Sequence, residues 1–301
     1  MLAGGSGFLG QTLAKVLLAC GVDVVVLTRR PGAQRNEGWR EAGWDGQTVG
    51  RWAEELEGAA AVVNFTGRSV NCVHSAGNRR AILGTRVDSV RALGAALGAC
   101  REPPVAWVQC SATGYYGDVR DRQCDEQDPP GRGFMAEVCR EWEAAFAEQE
   151  LTASRKVTLR IGVVLGKRGG AYPPLRRLTR LFLGGTAGRG DQGMSWIHVD
   201  DLTGMITEAI ANAEWSGVYN ACAPEPVTNA EFMRTLREVQ RRPWAPPAPA
   251  WAVRLAARWV LRTEGDLILE GSRVVPQRAL AAGYRFKYEK LAAALAALAE
   301  R

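Results

Sequence analysis

Long apolar runs are missing from this sequence. A membrane-spanning helix needs roughly 18 or more consecutive apolar residues, and no such run occurs. We therefore expect no membrane span and no membrane partner. The first residues also lack the positively charged segment and apolar stretch of a secretory signal, so we expect a cytoplasmic protein.

Metal-binding and disulfide patterns are also missing. The chain has 2 histidines, His74 and His198, far apart, and 7 cysteines without a CxxC pair. This scarcity argues against a metal site. The cysteine count is odd and most cysteines lie in apolar segments, which favours free thiols in a reducing compartment.

Clustered positive charge is the third absence. The net charge is +6, but the 38 basic residues are spread along the chain and nearly all are arginine. A dispersed charge does not form a nucleic-acid-binding tract. We expect no nucleic-acid partner, and nothing in the sequence supports a particular oligomer.

What the sequence does contain is an alternation of apolar strands and amphipathic helices. Strands that are apolar throughout predict a parallel sheet covered on both faces. The fold class we expect is α/β, a Rossmann-type doubly wound parallel sheet with a smaller, mostly helical C-terminal part. The predicted strands are 23–27, 60–65, 105–110 and one from 157, and the predicted helices are 8–20, 79–100, 134–148 and 288–300.

The composition divides the chain into three parts. We expect an NADP-binding core in 1–165, and a substrate-side segment in 166–242 that adds further strands and helices. A small helical domain is expected in 243–301. Before it lies the segment 241–251, where four prolines within seven residues prevent regular structure.

Three glycines near the start have the spacing GxxGxxG between an apolar stub and a predicted helix. A dinucleotide pyrophosphate binds backbone N–H groups at such a helix start, where side chains would obstruct it. The alternative is a plain glycine-rich turn. Only three residues precede it, so the first strand is either very short or begins upstream. The expected cofactor contacts are Gly4, Ser6, Gly7, Phe8, Leu9 and Gly10.

The end of the second predicted strand indicates which cofactor is bound. NAD-binding folds place an acidic residue there for the ribose hydroxyls, whereas this chain has Thr28, Arg29 and Arg30. Guanidinium groups suit a 2′-phosphate, so we expect NADP. The alternative is that one or both arginines only face solvent.

Seven blocks follow one another along the chain: GGSGFLG (4–10), NFTGRSVN (64–71), GTRVDSVRALGAAL (84–97), SATGYYGD (111–118), RIGVVLG (160–166), SWIHVDDL (195–202) and EGSRVVPQRALAAGYRFKYEKLAAAL (270–295). Together they resemble the extended short-chain dehydrogenase/reductase superfamily, and within it an atypical NAD(P)-dependent epimerase-like family. Members of that family carry a small C-terminal domain of unknown function and are often labelled epimerases or cell-division inhibitors. The resemblance covers the chain end to end.

The resemblance implies roles for several residues. It places Arg29 at the 2′-phosphate and the segment with Asn64, Thr66 and Gly67 along the adenosine half of the cofactor. Ser111 would end the strand that presents a catalytic hydroxyl near the nicotinamide.

The superfamily's Y-x-x-x-K pair, which supplies the acid/base, is absent here. Phe134 stands at the expected place. If the protein is catalytic without this pair, we expect the acid/base to come from the turn after Ser111, with Tyr116 as first choice and Tyr115 as second. The alternative is that both rings pack over the turn and only shape the pocket.

The segment GRGDQGMSWIHVDD, 188–201, gives information about the substrate class and about where the next helix begins. Related sugar-nucleotide enzymes have an arginine where Met194 stands, and its loss weakens the case for a nucleotide-sugar substrate. His198 lies in an apolar run, so we expect a structural role for it. Asp200 and Asp201 are expected to begin a helix, with aspartate as its cap.

Two classes of function remain open. The first is an NADP-dependent oxidoreductase or epimerase acting on an unidentified small molecule. The second is a non-catalytic NADP-binding sensor or scaffold. The missing tyrosine–lysine pair favours the second, whereas the retained serine and the two tyrosines favour the first.

Overall fold

The structure is a computed structural model that describes residues 1–32 and 37–300. The strands of this part are β1 (Leu2–Ala3), β2 (Val25–Thr28), β3 (Arg40–Gly43), β4 (Ala61–Asn64), β5 (Ala106–Ala112), β6 (Val119–Cys124), β7 (Arg155–Ile161), β8 (Val163–Leu165), β9 (Gly193–Met194), β10 (Trp196–His198), β11 (Gly217–Ala221), β12 (Val227–Thr228) and β13 (Ser272–Val274). The helices are α1 (Phe8–Ala19), α2 (Ala76–Ala99), α3 (Phe134–Ala147), α4 (Tyr172–Arg180), α5 (Val199–Ala211), α6 (Asn229–Val239), α7 (Ala250–Ala256), α8 (Asp266–Leu269), α9 (Gln277–Ala281) and α10 (Leu291–Ala299).

Seven of these strands form one sheet, in the order β3-β2-β1-β4-β5-β7-β11. Every neighbouring pair in it is parallel. The strand order reverses between β1 and β4, so a crevice opens there at the carboxyl ends of the strands, where doubly wound folds bind their ligands. The predicted fold class, including the helical C-terminal part, is confirmed.

The sheet is apolar on both faces because helices cover both. Successive β5 residues show this, since Trp107 packs in one buried cluster and Val108 in the other. Leu13 of α1 and Leu202 of α5 belong to the cluster of Val108, and Leu93 of α2 belongs to the cluster of Trp107. The strands therefore read as continuous apolar runs.

Two helices begin at residues other than those predicted, because a side chain caps each of them. Helix α2 begins at Ala76 rather than at 79, because the hydroxyl of Ser75 accepts a hydrogen bond from the Asn78 amide at 3.3 Å. Helix α5 begins at Val199, and its cap is His198 rather than an aspartate. Nδ1 of His198 accepts from the Asp200 amide at 3.1 Å, which gives this buried histidine a structural role.

The C-terminal elements pack against the body of the chain. Strand β13 pairs with β6, and α10 packs on α6 through Leu291, Leu295 and Phe232. The division into 1–165, 166–242 and 243–301 stays a prediction. In the described part of the chain, no helix is both long enough and apolar enough to cross a bilayer.

Candidate functional site

The glycine turn after β1 lies at the switch point of the sheet. Gly4 has φ +68°, and a Cβ there would lie 3.0 Å from the backbone of Thr66, in the turn after β4. A Cβ on Gly10 would overlap the backbone of Gly5. Gly7 is the N-cap of α1, and a Cβ there would approach nothing closer than 3.9 Å. The start of α1 is therefore open to a ligand.

The Phe8 and Leu9 side chains pack against other parts of the protein and so fix the position of this turn. The ring of Phe8 packs against Gly166 and Gly169, in the loop after β8, and Leu9 packs against the core. The carbonyl of Ser6 accepts a hydrogen bond from Nε2 of Gln11 at 2.8 Å. Backbone groups, rather than the Phe8 and Leu9 side chains, are thus the groups of this turn that suit a pyrophosphate.

Arg29 lines a cavity of about 520 Å³ beyond β2 and β3, and Arg51 lines it too. Arg30 does not. The carboxylate of Asp45 is engaged by its own loop, because it accepts hydrogen bonds from the Thr48 hydroxyl at 2.6 Å and from the Thr48 and Gln47 amides. These bonds, the hydroxyl's first, lower the pKa of Asp45. Two guanidinium groups are therefore available for an anion. The cavity is lined by Arg29, Gly43, Trp44, Asp45, Thr48, Gly50, Arg51 and Trp52.

The turn after β4 is fixed by a buried asparagine. Nδ2 of Asn64 donates to Ser89 at 3.2 Å and to Gln109 at 3.0 Å, while its Oδ1 accepts from the Thr66 amide at 2.9 Å. Asn64 thus holds Thr66 against Gly4, so the two turns form one wall of the crevice.

Arg86 of α2 is a residue of this wall that the sequence analysis missed. Its Cζ lies 3.0 Å from where a Cβ on Gly67 would stand, and its Nη1 donates to the carbonyls of Arg68 and Ile82. The guanidinium lies 5.0 Å from the ring centroid of Trp142, and it has no carboxylate partner among the described residues. Burial lowers the pKa of Arg86.

Five side chains form a continuous hydrogen-bonded row behind the end of β5, which we call the buried polar chain. Ser111 Oγ donates to Glu143 at 2.6 Å, and Arg160 holds Glu143 with bonds of 2.8 to 3.2 Å. Nη1 of Arg160 donates to the Tyr116 hydroxyl at 2.9 Å, which itself donates to Oδ1 of Asn220 at 2.7 Å. Two predicted residues, Ser111 and Tyr116, are therefore linked through Glu143 and Arg160, and Asn220 ends the row; none of these three was predicted.

Burial decides the protonation state of the phenol in this chain. Tyr116 is 1% exposed. Burial raises the pKa of its hydroxyl well above the usual value, although Arg160 and Asn220 act in the opposite sense. Burial alone would lower the pKa of Arg160, but bonding and attraction to Glu143 raise it overall. At neutral pH the row thus holds a neutral phenol and a charged guanidinium.

Tyr115 has a different environment. The Cζ of Arg160 lies 3.4 Å from its ring centroid, and its ring meets that of Tyr116 edge to face at 5.3 Å. Its hydroxyl makes no hydrogen bond within the part of the chain that the structure describes. Phe134, at the first position of α3, contacts the ring of His74 at 5.0 Å, so no hydroxyl stands at that place.

Replacing Tyr116 with phenylalanine should lower the free energy of unfolding by about 1–3 kcal/mol, because two buried polar partners lose their bond. Tyr115→Phe is the matched control and should change it by less than about 0.5 kcal/mol. Urea unfolding measures both. Equal, small effects would mean that water replaces the Tyr116 hydroxyl.

One signal for the missed residues was present in the sequence. Arg160 interrupts an apolar strand, and a charge buried within a sheet needs a partner. The sequence did not show which residue that partner is. Glu143 lies 17 residues away from Arg160, and Asn220 lies 104 residues away from Tyr116.

Comparison with known proteins gives the chain its relatives. Residues 1–222 match the NAD dependent epimerase/dehydratase family, and residues 248–298 match a domain of unknown function, DUF1731. The Homo sapiens epimerase family protein SDR39U1 is 34% identical over 98% of this chain and 97% of its own length. The Bacillus subtilis epimerase family protein YfhF is 32% identical over 99% and 96%. A crystal structure of the human protein, isoform 2, with NADPH superposes with a TM-score of 0.88 at 33% identity, covering 99% of this chain and 98% of that one.

Proposed function

The chain belongs to the NAD dependent epimerase/dehydratase family, and on this premise we propose that it is an NADP-dependent oxidoreductase or epimerase acting on a small molecule. The observation that carries the proposal is the placement of Ser111. Its hydroxyl lies at the carboxyl end of β5, beside the crevice whose wall is formed by the two turns, and it is bonded to a carboxylate. Through this hydrogen bond the Ser111 hydroxyl can pass its proton to the Glu143 carboxylate.

The crevice suits a dinucleotide. The open start of α1 offers backbone N–H groups to a pyrophosphate, through the turn of Gly4, Ser6, Gly7 and Gly10. Asn64, Thr66 and Gly67 would lie along the adenosine half, as the family resemblance implies. Arg86, a cation without an acidic partner beside Gly67, would neutralise a phosphate of the cofactor. The NADPH named for the human relative's structure supports NADP here.

The cavity with Arg29 and Arg51 would take the 2′-phosphate. Arg29→Ala should weaken NADPH binding by at least about tenfold and leave NADH binding nearly unchanged, because a charge-assisted contact is lost. Arg30→Ala is the matched control, since Arg30 does not line the cavity. Calorimetric titration with both cofactors measures this. Equal affinity of the unaltered protein for NADPH and NADH would contradict the assignment.

NADP, when bound, supplies the hydride acceptor or donor, and the chain's own residues handle the proton. Because Ser111 directs its O–H at Glu143, a substrate hydroxyl would donate its hydrogen bond to a lone pair of the same Oγ. In the oxidising direction Ser111 takes the substrate's proton while its own passes to Glu143. Arg160 holds the carboxylate in place for this transfer.

For the tyrosines we propose positioning roles. That Tyr116 itself gives or takes the proton, with Tyr115 as second choice, stays a prediction. The Tyr116 hydroxyl is buried and its pKa is raised, which disfavours proton transfer. Both observations favour a role in which Tyr116 fixes the position of Arg160 through their hydrogen bond. The Tyr115 ring covers the other face of the same guanidinium.

A second candidate is a non-catalytic NADP-binding sensor or scaffold. Phe134 supports it, because a ring without a hydroxyl begins α3. The two candidates differ in one measurable respect. Both bind NADP, but only the first transfers a hydride between the bound cofactor and a second compound, with net turnover of the cofactor in an oxidoreductase and return of the hydride in an epimerase.

A further inference from the structure

The exposed tryptophans of this protein fall within one stretch of the chain, residues 244–259. Trp244, Trp251 and Trp259 are 67%, 70% and 72% exposed. Exposure of so large an apolar ring is uncommon and marks an interaction surface when several occur side by side. The other seven tryptophans are buried: Trp39, Trp44, Trp52, Trp107, Trp142, Trp196 and Trp215.

Two of the three belong to one helical face. Trp251 and Leu255 lie on α7, and Trp259 lies on the π-helical turn Ala257–Leu261 that continues it. A spacing of four residues places these side chains on the same side. Val253 and Ala257, on the other side, are buried. The helix therefore packs on the protein by its small residues and presents its large apolar residues to solvent.

A second exposed apolar segment lies alongside. Leu181, Phe182 and Leu183 follow α4 and are exposed. The chain after them pairs with the chain after Trp244, since the amide of Ala248 donates to Thr186 and its carbonyl accepts from Gly188, both at 2.8 Å. The guanidinium of Arg242 also lies 5.2 Å from the Phe182 ring centroid. We call the combined face the tryptophan surface. It consists of Leu181, Phe182, Leu183, Trp244, Trp251, Leu255 and Trp259.

The two chain segments that carry this surface are basic, although Asp191 and Asp266 next to them pair with Arg189 and Arg254. Residues 167–190 contain six basic and no acidic residues, and residues 239–263 contain five basic and no acidic residues. Most of the exposed guanidinium groups have no ion-pair partner within the described ranges, 1–32 and 37–300. Those without a partner are Arg168, Arg177, Arg180, Arg241, Arg258 and Arg262.

We propose that the tryptophan surface docks this protein onto a bilayer containing anionic lipids. Tryptophan and leucine side chains enter the boundary between headgroups and acyl chains, and arginines beside them bind lipid phosphates. A helix that lies in this boundary needs no membrane-spanning segment. The proposal goes beyond the NADP-dependent function and departs from the expectation of no membrane partner.

Other partners fit the surface less well. A second copy docked through the same face would bring two sets of unpaired arginines together. A single-stranded nucleic acid would use the rings and the arginines but would leave the exposed leucines in water. A lipid surface satisfies all three kinds of side chain.

The test uses the full-length protein and sedimentation with vesicles. We expect binding to vesicles of equal parts phosphatidylcholine and phosphatidylglycerol, weak binding to phosphatidylcholine alone, and release by high salt. Brominated acyl chains should quench part of the tryptophan fluorescence, because only Trp244, Trp251 and Trp259 lie where such chains reach.

The double variant Trp251→Ala/Trp259→Ala should lower vesicle affinity by at least about tenfold. It should leave NADPH binding and the melting temperature unchanged, since both rings are exposed. The control is Val105→Ala, a 65% exposed residue before the amino end of β5. Arg258→Glu with Arg262→Glu should abolish the preference for anionic vesicles.

Three results would overturn the proposal. The first is absence of binding to anionic vesicles, and the second is binding that the tryptophan double variant retains in full. The third is failure to bind vesicles combined with oligonucleotide binding, or self-association, that the same variant removes. That third result would assign the surface to a nucleic acid or to a second copy of the chain.

Discussion

Ser111→Ala is expected to lower turnover by about 10²-fold or more, the scale on which a positioned acid/base contributes. The variant removes the hydroxyl that, among the described residues, bonds to Glu143 at the end of β5. The affinity for NADPH should stay unchanged, because in our proposal the cofactor would be held mainly by the two turns and by the cavity of Arg29. Oxidation of NADPH in the presence of an active substrate measures turnover, and calorimetry measures affinity.

Ser154→Ala is the matched control for this variant. Ser154 is as buried as Ser111, and its Oγ makes one short bond, 2.6 Å, to the carbonyl of Pro104. It precedes β7 and so lies at the amino end of the sheet, away from the crevice. Loss of turnover in both variants would mean that Ser111 acts only on the fold. Full turnover in Ser111→Ala would move the proton to another group or to water.

Glu143→Gln is expected to lower the free energy of unfolding by about 3–5 kcal/mol, because it leaves a buried guanidinium without a counter-charge. The side chains of Arg160 and Glu143 are only 5% and 13% exposed. Glutamine keeps the shape and can still accept from Ser111, so packing is preserved. Urea unfolding at neutral pH gives the value. Because glutamine does not take up a proton, turnover should also fall.

The matched control for this second effect is Glu238→Gln. Glu238 pairs with Arg234 on the surface of α6, where both side chains are more than half exposed. A pair of this kind contributes less than about 1 kcal/mol. If both glutamine variants were destabilised equally little, the Arg160–Glu143 pair would have to be hydrated, and the account of the buried polar chain would be wrong.

The sequence predicted the sheet because its signals are local. Apolar strands, helix periodicity and the glycine turn can each be recognised from residues that lie close together in the sequence. Helix starts were less accurate, because Ser75 and His198 cap helices from positions that the apolar pattern does not mark. The first strand has two residues, Leu2 and Ala3.

The site was predictable only in part, since its contacts join distant segments. Ser111 and Tyr116 stood out as hydroxyls after a strand. Their connection through Glu143 and Arg160 depends on how α3 and β7 pack, which no short pattern encodes. Which side of a helix is buried also depends on contacts between distant segments. The Trp251–Leu255–Trp259 spacing is typical of a core face, yet the structure buries the opposite side of that helix.

We propose that NADP bound in this crevice exchanges a hydride with a small molecule beside Ser111. The most direct measurement follows the absorbance of NADPH bound to the purified protein while aldehydes, ketones and quinones are added in turn. We expect at least one compound to oxidise the cofactor with the unaltered protein and not with Ser111→Ala. NADPH that binds one per chain and stays reduced with every compound would contradict this proposal and favour the sensor or scaffold.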